Sequence, residues 1–93
     1  MQVNLMGRRY QLVFTKLGRE QARGSCDPPS IRGKQIRIDE RLSGEEELEV
    51  VLHELLHACD WRADEEHIEQ QASDMARVLW RLGWRKNNSP KTP

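Results

Sequence analysis

Hydrophobic positions along the chain follow two different periods. From Arg9 to Thr15 the chain reads R-Y-Q-L-V-F-T, with Tyr10, Leu12 and Phe14 at every second position. That is the pattern of a half-buried strand. It returns in Lys34–Ile38, where Ile36 and Ile38 share a face and predict a second strand. Beyond Ser43 the spacing changes to three and four. Leu48, Val51, Leu52, Leu55 and Leu56 make an apolar stripe on a helix expected from about Ser43 to Cys59, flanked by Val50 and Ala58. Ile68, Ala72, Met75, Leu79 and Leu82 carry the same spacing and predict a second helix after Asp64.

The segments between these patterns mark the ends of the elements. Met1 to Gly7 has no clear period, Lys16 to Ser25 is polar and reads as loop, and Gly24–Pro29 (G-S-C-D-P-P) reads as a turn, since two prolines cannot donate to a sheet ladder. Ser43 with Glu46 three residues on predicts a capping box, and Glu45, Glu46 and Glu47 favour the positive end of the helix dipole. Asp64 is the expected cap of the second helix, and Gly83 its C-terminal stop, with Trp84 folding back on the helix end. The polar stretch 86–93 holds two prolines and is expected to be disordered. The reading is one α+β domain over residues 1–85, a small two- or three-stranded sheet packed on two long helices, followed by that tail.

Composition narrows the function. Ninety-three residues give room for one modest core. Lys+Arg 15 balance Asp+Glu 15, so nothing favours non-specific binding to nucleic acid or to an anionic membrane. Arg8 and Arg9 interrupt the only apolar stretch near the N-terminus, and no run reaches membrane-spanning length. A cytoplasmic protein is expected, with Cys26 and Cys59 as free thiols. Cys26 and Asp27 read as turn chemistry or, more sharply, as the rim of a groove.

The chemistry lies on the first helix. His53-Glu54-Leu55-Leu56-His57 reads H-E-x-x-H. Four residues apart on a helix, both imidazoles face one way and can grip one metal ion, while Glu54 is placed as general base. Zinc needs a further protein ligand and one open position for catalysis. The second helix should pack back antiparallel, which brings its acidic start to the histidines. Around the Ile68/Ala72/Met75/Leu79 stripe, Glu66 points away and Glu65 and Glu69 lie on one flank with Ala72 and Ala76. The expected third ligand is Glu69, then Glu65, then His67. The bland alternative makes His53 and His57 ordinary helix residues beside the core and Glu54 a solvated charge. No oxyanion donor stands out among Tyr10, Arg37, Arg62 and His67. The strand Lys34–Ile38 is the candidate edge for an extended peptide.

The run from Ile36 to His57 (I-R-I-D-E-R-L-S-G-E-E-E-L-E-V-V-L-H-E-L-L-H) resembles the strand-to-active-helix segment of small zincin-like metallopeptidases, and is similar to the SprT-like and ImmA/IrrE groups. With G-S-C-D-P-P and A-R-V-L-W-R-L-G-W at Ala76–Trp84, the chain resembles the short SprT-like proteins of phages and prophages. The resemblance implies a minimal zincin arrangement, zinc at His53 and His57, Glu54 as base, an acidic or histidine third ligand downstream, and an edge strand antiparallel to substrate. Two family features are missing. Gln71 before Ala72 stands where the ImmA/IrrE group has its E-A-N ligand signature, and there is no four-cysteine zinc ribbon. DNA recruitment and repressor cleavage are therefore not expected. The expectation is a zinc-dependent metallopeptidase acting on a protein or peptide substrate. The alternative is a non-catalytic zinc-binding interaction protein, a phage accessory factor, in which Cys26 or Asp74 would close the coordination.

Overall fold

The computed structural model describes residues 1–19 and 23–87. The chain opens with a hairpin. Strand β1 (Gln2–Leu5) pairs antiparallel with β2 (Arg8–Thr15), with Leu5 opposite Arg8. Met6 and Gly7 between them both have positive φ, 53° and 77°, the two-residue turn whose twist matches a hairpin. Strand β3 (Gly24–Cys26) pairs antiparallel with β4 (Gln35–Asp39), and β4 runs parallel to β2. The order across the sheet is β1-β2-β4-β3.

The fold class is α+β as expected, but the sheet has four strands. The two additions were illegible for physical reasons: β1 is a short edge strand with half-buried alternation, and β3 is three residues long, Gly-Ser-Cys, with no apolar pattern. The expected turn at Gly24–Pro29 is therefore half strand, and the expected edge Lys34–Ile38 is interior, because β3 covers it.

Helix α1 (Gly44–Cys59) and helix α2 (Glu65–Arg81) are antiparallel: His57 meets Glu65 at one end, and Gly44 lies beside Trp80 at the other. The core is Tyr10, Leu12, Ile36, Ile38, Val50 and Ala58, with Val51, Leu55 and Cys26 packed against it. The most buried line of α1 is Val50, Glu54 and Ala58, which faces the sheet, while the expected leucine stripe is only half-buried. On α2 the buried line is Ile68, Ala72 and Ala76, and Met75 and Leu82 are exposed. Small alanines allow the helices to approach closely, so packing turned α2 away from its larger apolar side chains.

The helix ends differ from expectation in one respect. Ser43 precedes α1 but its hydroxyl makes no cap hydrogen bond, and Gly44 enters the helix at φ 67°. The capping box does not form; Glu46 pairs with Arg23 at 2.7 Å and Glu47 with Lys86 at 2.6 Å. Asp64 also precedes α2 without a side-chain cap bond. At the C-terminus of α2 the expected glycine stop is present. The Gly83 amide donates to the Trp80 carbonyl and the Trp84 amide to that of Leu79, both at 3.0 Å, with Gly83 at φ 97°. Most of the tail expected to be disordered, residues 88–93, lies outside the described residues; Lys86 within it is engaged with Glu47. No helix among the described residues is long and apolar enough to cross a membrane.

Candidate functional site

His53 and His57 project from α1 one turn apart, at the edge of the buried Val50/Glu54/Ala58 line. Their Nε2 atoms are 3.1 Å apart. The carboxylate of Glu65, the first residue of α2, closes the triangle: one oxygen is 3.1 Å from His53 Nε2 and the other 2.9 Å from His57 Nε2. His53, His57 and Glu65 form a group that could hold a metal ion. Protons alone satisfy this triangle poorly. Each Nε2 carries one hydrogen or one lone pair. If both nitrogens donate to an ionised Glu65, they present two N–H groups to each other; if one accepts from the other, its contact with Glu65 loses the hydrogen. A cation at the centre satisfies all three contacts together.

Glu69, the residue expected as ligand, is not in this group; it lines the same cleft one turn further along α2. The level at which α2 starts explains the exchange: Glu65 is its first residue and lies beside His53 and His57. With the inward face defined by Ile68, Ala72 and Ala76, Glu65 also lies nearer the inward direction, about 20° away against about 60° for Glu69 at 100° per residue. His67 is exposed and does not line the cleft.

Glu54 faces the sheet side of α1 and is 7 % exposed. Burial, with a smaller contribution from the charge of Glu65, pushes its carboxyl up to about 7. It has no hydrogen-bond partner among the described residues, and it lines the cleft. Its other neighbour is β3. A Cβ placed on Gly24 would lie 3.0 Å from Glu54 Oε2, 2.9 Å from Val50 Cγ1 and 3.2 Å from the Arg37 carbonyl oxygen. Only glycine lets the strand approach the carboxylate this closely. Gly24 is a site residue that sequence reasoning missed, because this approach is between segments thirty residues apart.

The cleft has a volume of about 650 Å³ and is bounded by α1, by the start of α2, and by the edge strand β3. Cys26 lines it, the sharper of its two readings, while Asp27 does not; burial first, and then the charge of Glu54, pushes the Cys26 thiol up to about 12. Asp27 serves the loop instead. It receives both guanidinium nitrogens of Arg37, at 2.9 and 3.2 Å, and the Gln35 amide. The Arg37 guanidinium holds its carboxyl below the usual range. Neither Cys26 nor Asp74 joins the metal group; Asp74 pairs with Arg77 on the surface of α2. Of the residues considered as oxyanion donors, Tyr10, Arg37, Arg62 and His67, none lines the cleft. Tyr10 is wholly buried, with its hydroxyl unpartnered. Arg23 is the guanidinium at the rim, tied to Glu46.

No family model, no curated protein and no solved structure matches the chain.

Proposed function

We propose that the protein is a zinc-dependent metallopeptidase. The observation that carries this reading is the convergence of two imidazoles and one carboxylate beside a buried, unpartnered glutamate in an open cleft. The donor set of two nitrogens and one oxygen suits zinc, and three protein ligands leave a position free, as catalytic sites require. The spacing is compatible with zinc: ligands at about 2.0–2.1 Å in a tetrahedron lie roughly 3.3 Å from one another, the two imidazole nitrogens are 3.1 Å apart, and each faces one Glu65 oxygen at 3.1 or 2.9 Å.

Zinc, when bound, would supply a Lewis acid that acidifies water and polarises a carbonyl. His53, His57 and Glu65 would hold it. Glu54, with its carboxyl raised toward neutrality, is matched to taking a proton from the attacking water and giving it to the leaving amine. The edge of β3, rather than Lys34–Ile38, is the place for an extended peptide to add to the sheet. With no Cβ at Gly24, the strand backbone can lie close to Glu54. Protein interaction without turnover is the weaker reading, since no fourth protein ligand joins the three among the described residues.

The test is hydrolysis of a proteome-derived peptide library by zinc-loaded protein, read by mass spectrometry. Cleavage abolished by a chelator, restored by zinc, and lost in Glu54→Gln that still binds one zinc would support the reading. Zinc bound without any cleavage of the library, or cleavage that persists in Glu54→Gln, would overturn it.

A further inference from the structure

Helix α2 is apolar over a wider arc than the rest of the fold covers. Its buried line is Ile68, Ala72 and Ala76. Met75, Val78 and Leu82 recur at steps of three and four on one flank of that line, and they are 41 %, 57 % and 70 % exposed. At about 100° per residue, Met75 and Leu82 lie roughly 60° and 80° from the inward direction and Val78 roughly 120°. Glu65 and Glu69 lie on the opposite flank, and none of the three apolar residues lines the cleft. Scattered apolar side chains on a surface need no explanation, but a continuous row at helical spacing marks a contact face.

A charged row runs beside the apolar one. Asp74 and Arg81 are seven residues apart, as are Met75 and Leu82, so the two rows are parallel and equally long, with Asp74 and Arg81 within about 20° of each other around the helix. Both are exposed. Asp74 receives Gln70 and Arg77 on Oδ1 alone. The Arg81 side chain has no ion pair or hydrogen bond among the described residues. The same segregation holds along the whole of α2: every Asp and Glu precedes Met75, and both arginines follow it.

Charge selects the occupant of this face. A copy of α2 laid parallel would set Asp74 against Asp74 and Arg81 against Arg81. A copy laid antiparallel about a two-fold axis at Val78 sets Met75 against Leu82 and Asp74 against Arg81, and the symmetry makes each contact twice. The register works because both pairs stand three and four steps on either side of Val78. We infer that the exposed face of α2 joins two copies of this chain, packed antiparallel about Val78, with Asp74 of each copy meeting Arg81 of the other. The contact spans about two helical turns per copy, at the low end of specific interfaces, so the dimer is weak and forms in the micromolar range. It leaves the cleft of both copies open and does not depend on the metallopeptidase reading.

Sedimentation velocity of the full chain between about 1 µM and 1 mM tests the pairing. Wild type should pass from monomer to dimer across that range. Val78→Glu, which places two like charges at the axis, should stay monomeric throughout. Asp74→Arg and Arg81→Asp should each weaken the dimer about tenfold or more, because every copy then meets a like charge. Mixed one to one, these two variants should recover most of the lost affinity as a heterodimer, since each cross-copy pair is again opposite in sign. That recovery also shows that both variants fold. Raised salt should narrow the difference between wild type and the charge variants. A wild type that is monomeric at every concentration, a dimer untouched by Val78→Glu, or charge variants whose mixture associates no more tightly than either alone would overturn the inference.

Discussion

The two ends of the α1–α2 pair are built from the same helices and treat charge in opposite ways. At the end where α1 begins and α2 stops, Glu47, Arg85 and Lys86 all have partners. Lys86 reaches Glu47 and lies 4.4 Å from the Phe14 ring centre; Arg85 stacks 3.4 Å over Trp80 and donates to the carbonyls of Trp80 and Trp84. Beneath them Leu12, Leu48, Val51, Trp80 and Trp84 line a mostly apolar hollow. At the other end, Glu54 is buried without a hydrogen bond among the described residues, and His53, His57 and Glu65 crowd into a group that protons cannot fully satisfy. One end fastens the helices to the sheet, and the other gathers a group that could hold a metal ion.

The largest expected effect breaks the triangle. His57→Ala should weaken zinc binding by roughly a thousandfold, since it removes one of three ligands. Glu65→Gln should weaken it clearly and Glu69→Gln hardly at all, read by competition with a calibrated chelator. Equal losses in the two glutamate variants would move the third ligand back toward Glu69.

Next comes the fastening end. Trp80→Ala should cost about 2–3 kcal/mol from lost burial and lower the melting temperature by roughly 10 °C or more. Zinc stoichiometry should stay at one per chain. Loss of zinc together with stability would show that the ends are coupled.

Glu54→Gln sharpens the comparison through pH. The Glu54 carboxyl is raised in the folded state, from the usual 4.5 to about 7. Its favourable contribution is therefore present below the ordinary value and lost as pH rises through the folded one. Metal-free wild type should lose up to about 3 kcal/mol of stability between pH 4 and pH 8 from this group. Glutamine cannot ionise, so the metal-free variant should be the more stable chain at pH 8, with the advantage shrinking at pH 4. Urea melts at the two pH values decide; an advantage that does not change with pH would remove the buried-charge account.

The smallest effect belongs to Lys86→Ala. Its lysine is half exposed, so the pair with Glu47 should contribute only about 0.5–1 kcal/mol, reduced by salt. A larger loss would mean that the segment after α2 holds the helix end more firmly than one ion pair accounts for.

Local periodicity in the sequence determined much of this. The two helices, the strands around Tyr10–Leu12 and Ile36–Ile38, the glycine stop at Gly83, and the pairing of His53 with His57 all depend on residues a few positions apart, where 3.6- and 2-residue repeats fix which side chains share a face. Tertiary packing decided the rest. Whether Glu65 or Glu69 meets the histidines depends on the level at which α2 begins against α1, which the connection Asp60–Asp64 and the packing of the two helices set. That β3, rather than Lys34–Ile38, forms the edge of the cleft depends on a pairing with β4 that no three-residue pattern announces. The need for glycine at position 24 exists only because Val50 and Glu54 come to rest against it. In each case the deciding distance is between segments far apart in the chain, and periodicity within one segment carries no information about its phase relative to another.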